Sequence, residues 1–142
     1  MNVYRRIESG LSSQDERSIS AVLIAYANSI DTRDWALFRS CFTADCQADC
    51  GNFGCWNNLV DLADYMRNAH SGLGATLHRI SNIQLAAISG GASSLCYVDA
   101  LSRQVNEKGP VHRGIGTHED FLVRTGDGWK IARQTFTAMI LE

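Results

Sequence analysis

The apolar positions change period part-way along the chain. Over residues 12–32, Ile19, Val22, Leu23, Tyr26 and Ile30 recur at helical spacing, which predicts a helix with one apolar face. Ser13 followed three residues later by Glu16 reads as a capping box at its start, each side chain satisfying an otherwise orphaned N–H. Asp31-Thr32-Arg33-Asp34 interrupts the pattern, and Asp34 is placed to cap a short second helix over residues 35–41. Residues 46–53 read as a short strand. A third helix begins near Asn58, carries Leu59, Leu62, Ala63 and Met66 on one face, and closes at Gly72 in the left-handed conformation.

From residue 75 the period becomes two. Residues 75–88 alternate as a strand, and Gly90-Gly91 is a tight hairpin signal. Residues 92–105 give a second long strand, 106–110 a turn holding the lone proline, 111–124 a third strand, and 129–141 a fourth after the turn Thr125-Gly126-Asp127-Gly128. Strands this long must twist and curl. Three helices followed by an antiparallel meander predict an α+β fold. The chain lacks a G-x-G-x-x-G or phosphate-loop motif, so a dinucleotide-binding fold is excluded.

Composition narrows the function classes. At 142 residues the chain reads as a single domain, 1–142, with a loose leading segment over 1–11, and 45% apolar residues exclude wholesale disorder. Thirteen basic against fifteen acidic residues, with no basic cluster denser than Arg5-Arg6, speak against nucleic acid. The longest apolar run, residues 21–27, is far short of the roughly 20 residues that span a bilayer, so no membrane partner is expected. With no secretory signal in the first ten residues, the expected location is cytoplasmic.

Five cysteines, at 41, 46, 50, 55 and 96, form no C-x-x-C pair and match no usual zinc spacing. They read as small buried apolar fillers, with no metal and no cofactor expected.

Three polar residues stand where apolar elements do not need them. Asp31 closes the apolar face of the first helix, although roughly 140° separates it from Tyr26 on a regular helix. His78 sits mid-strand beside Leu77 and Ile80, and Asp99 sits mid-strand among apolar neighbours that suggest burial. A histidine backed by a carboxylate makes a positioned general base, since the carboxylate fixes the tautomer and stabilises the imidazolium. A tyrosine hydroxyl nearby can donate to an oxygen that gains negative charge. Each residue also has a structural reading: His78 as a merely satisfied polar residue, Asp31 as a turn cap, Tyr26 as core, Asp99 on an edge facing solvent. His112 lies near a turn and is expected to be exposed, and Arg113, Arg124 and Arg133 are expected to be solvated.

Residues Ala25-Tyr26-Ala27-Asn28-Ser29-Ile30-Asp31-Thr32-Arg33-Asp34-Trp35 resemble the opening motif of SnoaL-like proteins in the nuclear-transport-factor-like superfamily. Cys41-Phe42-Thr43-Ala44-Asp45, Thr76-Leu77-His78-Arg79-Ile80-Ser81-Asn82, and the ending from Asp120 through Gly128-Trp129-Lys130-Ile131-Ala132 agree with it. The resemblance implies a cone, in which a strongly curved sheet wraps the helices around a deep pocket. It places Asp31 and His78 on the aspartate and histidine that dehydratase-like members pair, Tyr26 on a tyrosine five residues before that aspartate, and Asp99 on a further acidic position. Gly116-Thr117-His118 puts a histidine where family members often carry tyrosine, which leaves His118 at the pocket mouth or outside it. Together these imply His78, Asp31, Tyr26 and Asp99 as catalytic residues, and His118, Trp56 and Met66 as substrate-binding.

The function so implied is a cofactor-independent lyase or isomerase, of dehydratase type, acting on a small apolar ring-containing molecule. The alternatives are a non-catalytic ligand-binding or assembly subunit, like the small subunit of an oxygenase, and a polyketide-type cyclase. A homo-oligomer, dimer or trimer, is expected to cover the open sheet face.

Overall fold

In the computed structural model, which describes residues 8–105 and 108–142, ten elements follow one another. They are α1 (Ser13–Thr32), α2 (Trp35–Ser40), β1 (Phe42–Asp49), a 3-10 turn (Gly51–Phe53), β2 (Cys55–Trp56), α3 (Leu59–Ser71), β3 (Leu73–Ile88), β4 (Gly91–Gln104), β5 (Val111–Thr125) and β6 (Gly128–Leu141). Each α-helix begins where a polar side chain accepts a first-turn N–H. Ser12 takes that of Asp15 at 3.0 Å, Asp34 that of Leu37 at 3.0 Å, and Asn58 that of Asp61 at 2.8 Å.

Two helix ends differ from the sequence expectation. The cap of α1 is Ser12, still extended at φ −67 and ψ 157, whereas Ser13 is already helical. Glu16 consequently accepts from the Ser9 hydroxyl and not from a capping box with Ser13. Gly72 is not left-handed (φ −95, ψ 3), because the chain passes almost directly into β3. The left-handed closing residue is instead Arg33, at φ 58 after α1.

The sheet runs β2-β1-β6-β5-β4-β3. Its β3–β6 meander is antiparallel as expected. However, β1 joins β6 in parallel, so the sheet is mixed. The strand expected over 46–53 starts earlier, at Phe42, because Phe42, Cys46 and Ala48 all bury their side chains. It stops before Gly51, whose φ of 58 turns the chain into the 3-10 turn. Register shifts between Ser81 and Gln84 in β3, and between Ile115 and Gly116 in β5, bend the long strands. The result is a curved, unclosed sheet with α1 against β3 and β6, and α3 against β1.

Ile19, Leu23 and Ile30 of α1 meet Phe38, Phe42, Leu122 and Ile131 in the core, each at most 2% exposed. Full burial of each such side chain is worth about 1.5–3 kcal/mol. The first turn of α1 is held to the β5–β6 hairpin by Asp15, which accepts from Arg124 at 2.6 Å and from the Trp129 indole at 3.1 Å. Arg124 also lies 4.7 Å from the Trp129 ring centre, so the expectation of a merely solvated arginine does not hold there. The Arg124 hydrogen bond, foremost, holds the Asp15 carboxyl below its ordinary value.

Three cysteines (41, 46 and 96) are buried fillers as expected, while Cys50 is half-buried and Cys55 exposed. Residues 1–7 of the leading segment, and Asn106 and Glu107 of the proline-containing turn, lie outside the described residues. Past them, the Ser9 carbonyl accepts from the Ala87 N–H at 2.7 Å. Among the described residues, no helix is long and apolar enough to cross a membrane.

At Gly116 two strands and a ring crowd together. A Cβ there would lie 2.2 Å from the Thr137 carbonyl oxygen and 2.7 Å from the Phe136 ring. Gly116→Ala should destabilise the protein by about 1–3 kcal/mol through forced displacement, measured as a lowered urea midpoint with unchanged slope.

Candidate functional site

Alternation decides which side chains reach the interior. On β3, Thr76, His78 and Ile80 point inward while Leu77 and Arg79 point out. Asp31, in the last turn of α1, meets that inner row. Its Oδ1 accepts from the Thr76 hydroxyl at 2.9 Å and from His78 Nδ1 at 2.7 Å, and its Oδ2 accepts the His78 backbone N–H at 2.7 Å. Arg33, just past the helix end, donates to the Ile30 carbonyl (2.6 Å), the Thr76 hydroxyl (2.8 Å) and the Gly74 carbonyl (2.8 Å). Thr76 therefore stands between cation and carboxylate, receiving from Arg33 and donating to Asp31.

A carboxylate only accepts, so Nδ1 of His78 carries the proton and, in the neutral ring, Nε2 holds the lone pair. Both side chains are well covered, at 12% exposure for His78 and 16% for Asp31.

His78 lines a cavity of about 280 Å³ whose walls are mainly apolar, including Phe53, Met66, Val98 and Phe136. Tyr26, Tyr65, Cys50, His70 and His118 supply its other polar atoms. It opens into an outer hollow of about 330 Å³, bordered by Thr76, Ser102, His112 and Arg113 and sharing His70 and His78. A hollow of about 440 Å³ on the outer sheet face, beside Leu95, Glu119 and Arg133, is remote from this chemistry.

Burial sets the charge state of the interior. It pushes the Tyr26 phenol well above 10, so this hydroxyl remains a donor. It lowers His118 to about 4, helped by the nearby His78, and that ring is neutral at pH 7. His118 is wedged between Tyr26 and Phe136, with ring centres 5.5 Å from each.

Of the residues singled out by sequence, Tyr26, His78, His118 and Met66 meet at the cavity, with Asp31 behind His78. Two do not. Asp99 alternates out of phase with Val98 and Ala100, which face the cavity, and its carboxylate binds Arg79 (2.8 Å) and Arg113 (3.2 Å) on the outer face. Its apolar neighbours suggested burial because the outer face of β4 also carries Leu95 and Tyr97. Those same pairs engage Arg113, which is therefore not a merely solvated residue, and the Arg113 hydrogen bond chiefly lowers Asp99. Trp56 lies in edge strand β2 and stacks on Tyr65 at 4.2 Å, so it supports a wall residue without lining the cavity. His112 is exposed, as expected.

Sequence reasoning missed His70 and Asp120. His70 extends the apolar row Leu59, Leu62, Ala63, Met66 by one further step of four, and this spacing was the available signal. Asp120 shares the inward parity of Gly116, His118 and Leu122 on β5, and is 4% exposed. Its Oδ2 lies 3.4 Å from the Ser94 hydroxyl, its Oδ1 has no hydrogen-bond partner among the described residues, and burial, foremost, raises its carboxyl to about 7. Among the described residues, no group of three His, Cys, Asp or Glu side chains is arranged to hold a metal ion.

The Asp31 bond predicts a specific tautomer. A long-range ¹H–¹⁵N spectrum recorded where the ring is neutral should show His78 protonated at Nδ1 and bare at Nε2, and Asp31→Ala should mix the two tautomers. Buried Asp120 predicts a pH effect. Between its ordinary value of 3.8 and about 7, the native state keeps a proton that the unfolded chain has lost, so this group erodes stability as pH rises. His118 acts oppositely, eroding stability as pH falls from 6.5 toward 4. Urea midpoints at pH 4.5 and 7.5 should thus show Asp120→Asn gaining on the wild type as pH rises.

Residues 12–135 match the family model described as the SnoaL-like domain. No curated protein sequence matches the chain. Among solved structures, a Novosphingobium aromaticivorans protein provisionally named a scytalone dehydratase superposes with a TM-score of 0.84 at 18% identity, covering 91% of this chain and 87% of that one. Another from that organism, provisionally named an aromatic ring hydroxylase, gives 0.84 at 24%, covering 93% and 94%. A type 2 hexachlorocyclohexane dehydrochlorinase gives 0.81 at 16%, covering 92% of each. These likenesses show a common fold, the curved sheet wrapped on three helices. By the match across nearly its whole length, the chain belongs to the SnoaL-like domain family.

Proposed function

We propose that the protein is a cofactor-independent lyase of dehydratase type, with His78 as general base in the cavity. The observation that carries this reading is the 2.7 Å bond from His78 Nδ1 to Asp31, which holds a bare Nε2 at the wall of a mostly apolar space. A ligand carrier has no need of a tautomer fixed in this way. The structural similarity to a dehydrochlorinase, named for an elimination, is consistent with it.

In this reading a small ring-containing substrate lies against Phe53, Met66 and Phe136. His78 Nε2 takes a proton from carbon, and the electrons of that C–H bond form the new double bond as the neighbouring C–O bond breaks. The departing hydroxide leaves as water after receiving the proton from the imidazolium. Asp31 stabilises that imidazolium without leaving its three donors. Tyr26, protonated and lining the same space, donates to the carbonyl or departing oxygen. Asp99 has no part in the step, since its carboxylate is held by two arginines outside the cavity. Self-association belongs to the same reading: Leu77, Leu95 and Tyr97 lie on the outer sheet face, each more than a third exposed.

Positioned general-base catalysis is worth roughly 10²–10⁴ in rate. A panel of neutral cyclic β-hydroxy ketones, followed by the ultraviolet absorbance of the conjugated ketone formed, tests the proposal. The wild type should turn over at least one member, and His78→Ala should lose about 10²-fold or more with its circular dichroism unchanged. Equal rates in the variant, or no turnover across the panel by the wild type, would contradict it.

A further inference from the structure

The Asp31–His78 pair leaves a second imidazole in the same cavity unexplained. His70 lies in the last turn of α3, its ring centre 6.0 Å from that of His78, and borders both the inner cavity and the outer hollow. Its Nδ1 is 2.7 Å from the Met66 carbonyl oxygen, which only accepts, so Nδ1 carries the proton. That bond caps a last-turn carbonyl of the helix, a structural duty, and leaves Nε2 without a hydrogen-bond partner among the described residues. The Trp35 ring packs against the imidazole at 6.2 Å and limits its rotation.

A histidine in the last turn of a helix ordinarily gains from being a cation near the negative end of the dipole. Here burial, foremost, holds His70 below its ordinary value, with His78 and Arg33 pushing the same way against the opposing pull of the Met66 hydrogen bond and Asp31. With Nδ1 engaged on each ring, the neutral imidazoles of His70 and His78 turn Nε2 lone pairs to the cavity, and among the described residues its inner wall has no lysine or arginine. Of the nearby guanidiniums, Arg113 at the mouth is committed to Asp99 at 3.2 Å, and Arg33 to Thr76, Gly74 and Ile30. At these two nitrogens a carboxylate would set acceptor against acceptor, whereas an alcohol or phenol brings the donor that they lack.

We propose that His70 is a specificity-determining residue, whose bare Nε2 accepts a hydrogen bond from a hydroxyl of a neutral ring-containing substrate while His78 attends to the reacting carbon. This rests on the reading of the cavity as the substrate site, but it concerns binding and is separable from turnover.

Calorimetric titration of the full chain with 2-naphthol and with 2-methoxynaphthalene, which lacks the donor, tests the assignment. The wild type should bind 2-naphthol about tenfold more tightly, the ratio expected for one net hydrogen bond. His70→Phe should erase that ratio, and His70→Gln, which keeps an acceptor, should retain part of it. In the wild type, 2-naphthol and not the ether should shift the His70 Nε2 resonance, a readout independent of how the variants fold. A tenfold preference that survives His70→Phe, or an unmoved Nε2 resonance, overturns the role of His70 while leaving the cavity as a binding site. Failure of both probes to bind overturns the cavity reading and this inference together.

Discussion

The joint between Asp31 and β3 is the constraint on which the site depends. One carboxylate, at the end of a twenty-residue helix, accepts the Thr76 hydroxyl, the His78 backbone N–H and the His78 ring. Hydrogen bonds to charged groups are each worth about 1.5–3 kcal/mol, and a buried donor stripped of its partner costs a similar amount. Helix end, strand register and imidazole orientation are therefore fixed together. Arg33 reinforces the joint by adopting the left-handed conformation and reaching Thr76 and Gly74, so the turn that ends α1 also clamps the first long strand.

Curvature supplies the rest. Bulged strands bend round the helices, and between the bulges alternate residues look inward, as Thr76, His78 and Ile80 do on β3 and Gly116, His118 and Asp120 on β5. His78, Val98 and His118 line the cavity, and Asp120 is buried at 4% exposure beyond His118 on β5. Burial shifts the titratable groups of the interior toward their uncharged forms: it lowers His118 to about 4, raises Asp120 to about 7, and keeps Tyr26 of α1 a phenol. The Asp31 carboxylate bears directly on the imidazole at 2.7 Å, and the Arg33 guanidinium stands one hydroxyl away on Thr76. The near-balanced charge of the whole chain, net −2, fits an interior built for an uncharged guest.

The helices were legible because each announces itself through a cap and a periodic apolar face; the caps at Asp34 and Asn58 lie at the expected residues. The meander was legible from strand length and paired glycine turns. The parallel addition of β1 to β6 was not, since parallel pairing leaves no turn signal between neighbours in space. Asp31, His78 and Tyr26 could be named from sequence because their positions carry a family resemblance as well as chemistry. Asp99 misled because both faces of β4 are apolar, so composition could not assign its direction, while parity with Val98 does. His70 went unremarked because a histidine before glycine at a helix end has an ordinary capping explanation, which accounts for one of its two nitrogens.

The claim that Asp31 acts through His78 is tested most directly by a double-mutant cycle on the rate of elimination, using whichever cyclic hydroxy ketone the wild type turns over. Asp31→Asn and His78→Gln should each slow the reaction strongly, and the double variant should be no slower than His78→Gln alone within about twofold, as for residues that act as one unit. If the two losses multiply, Asp31 contributes independently of His78, and the account of the joint as a positioned base is wrong.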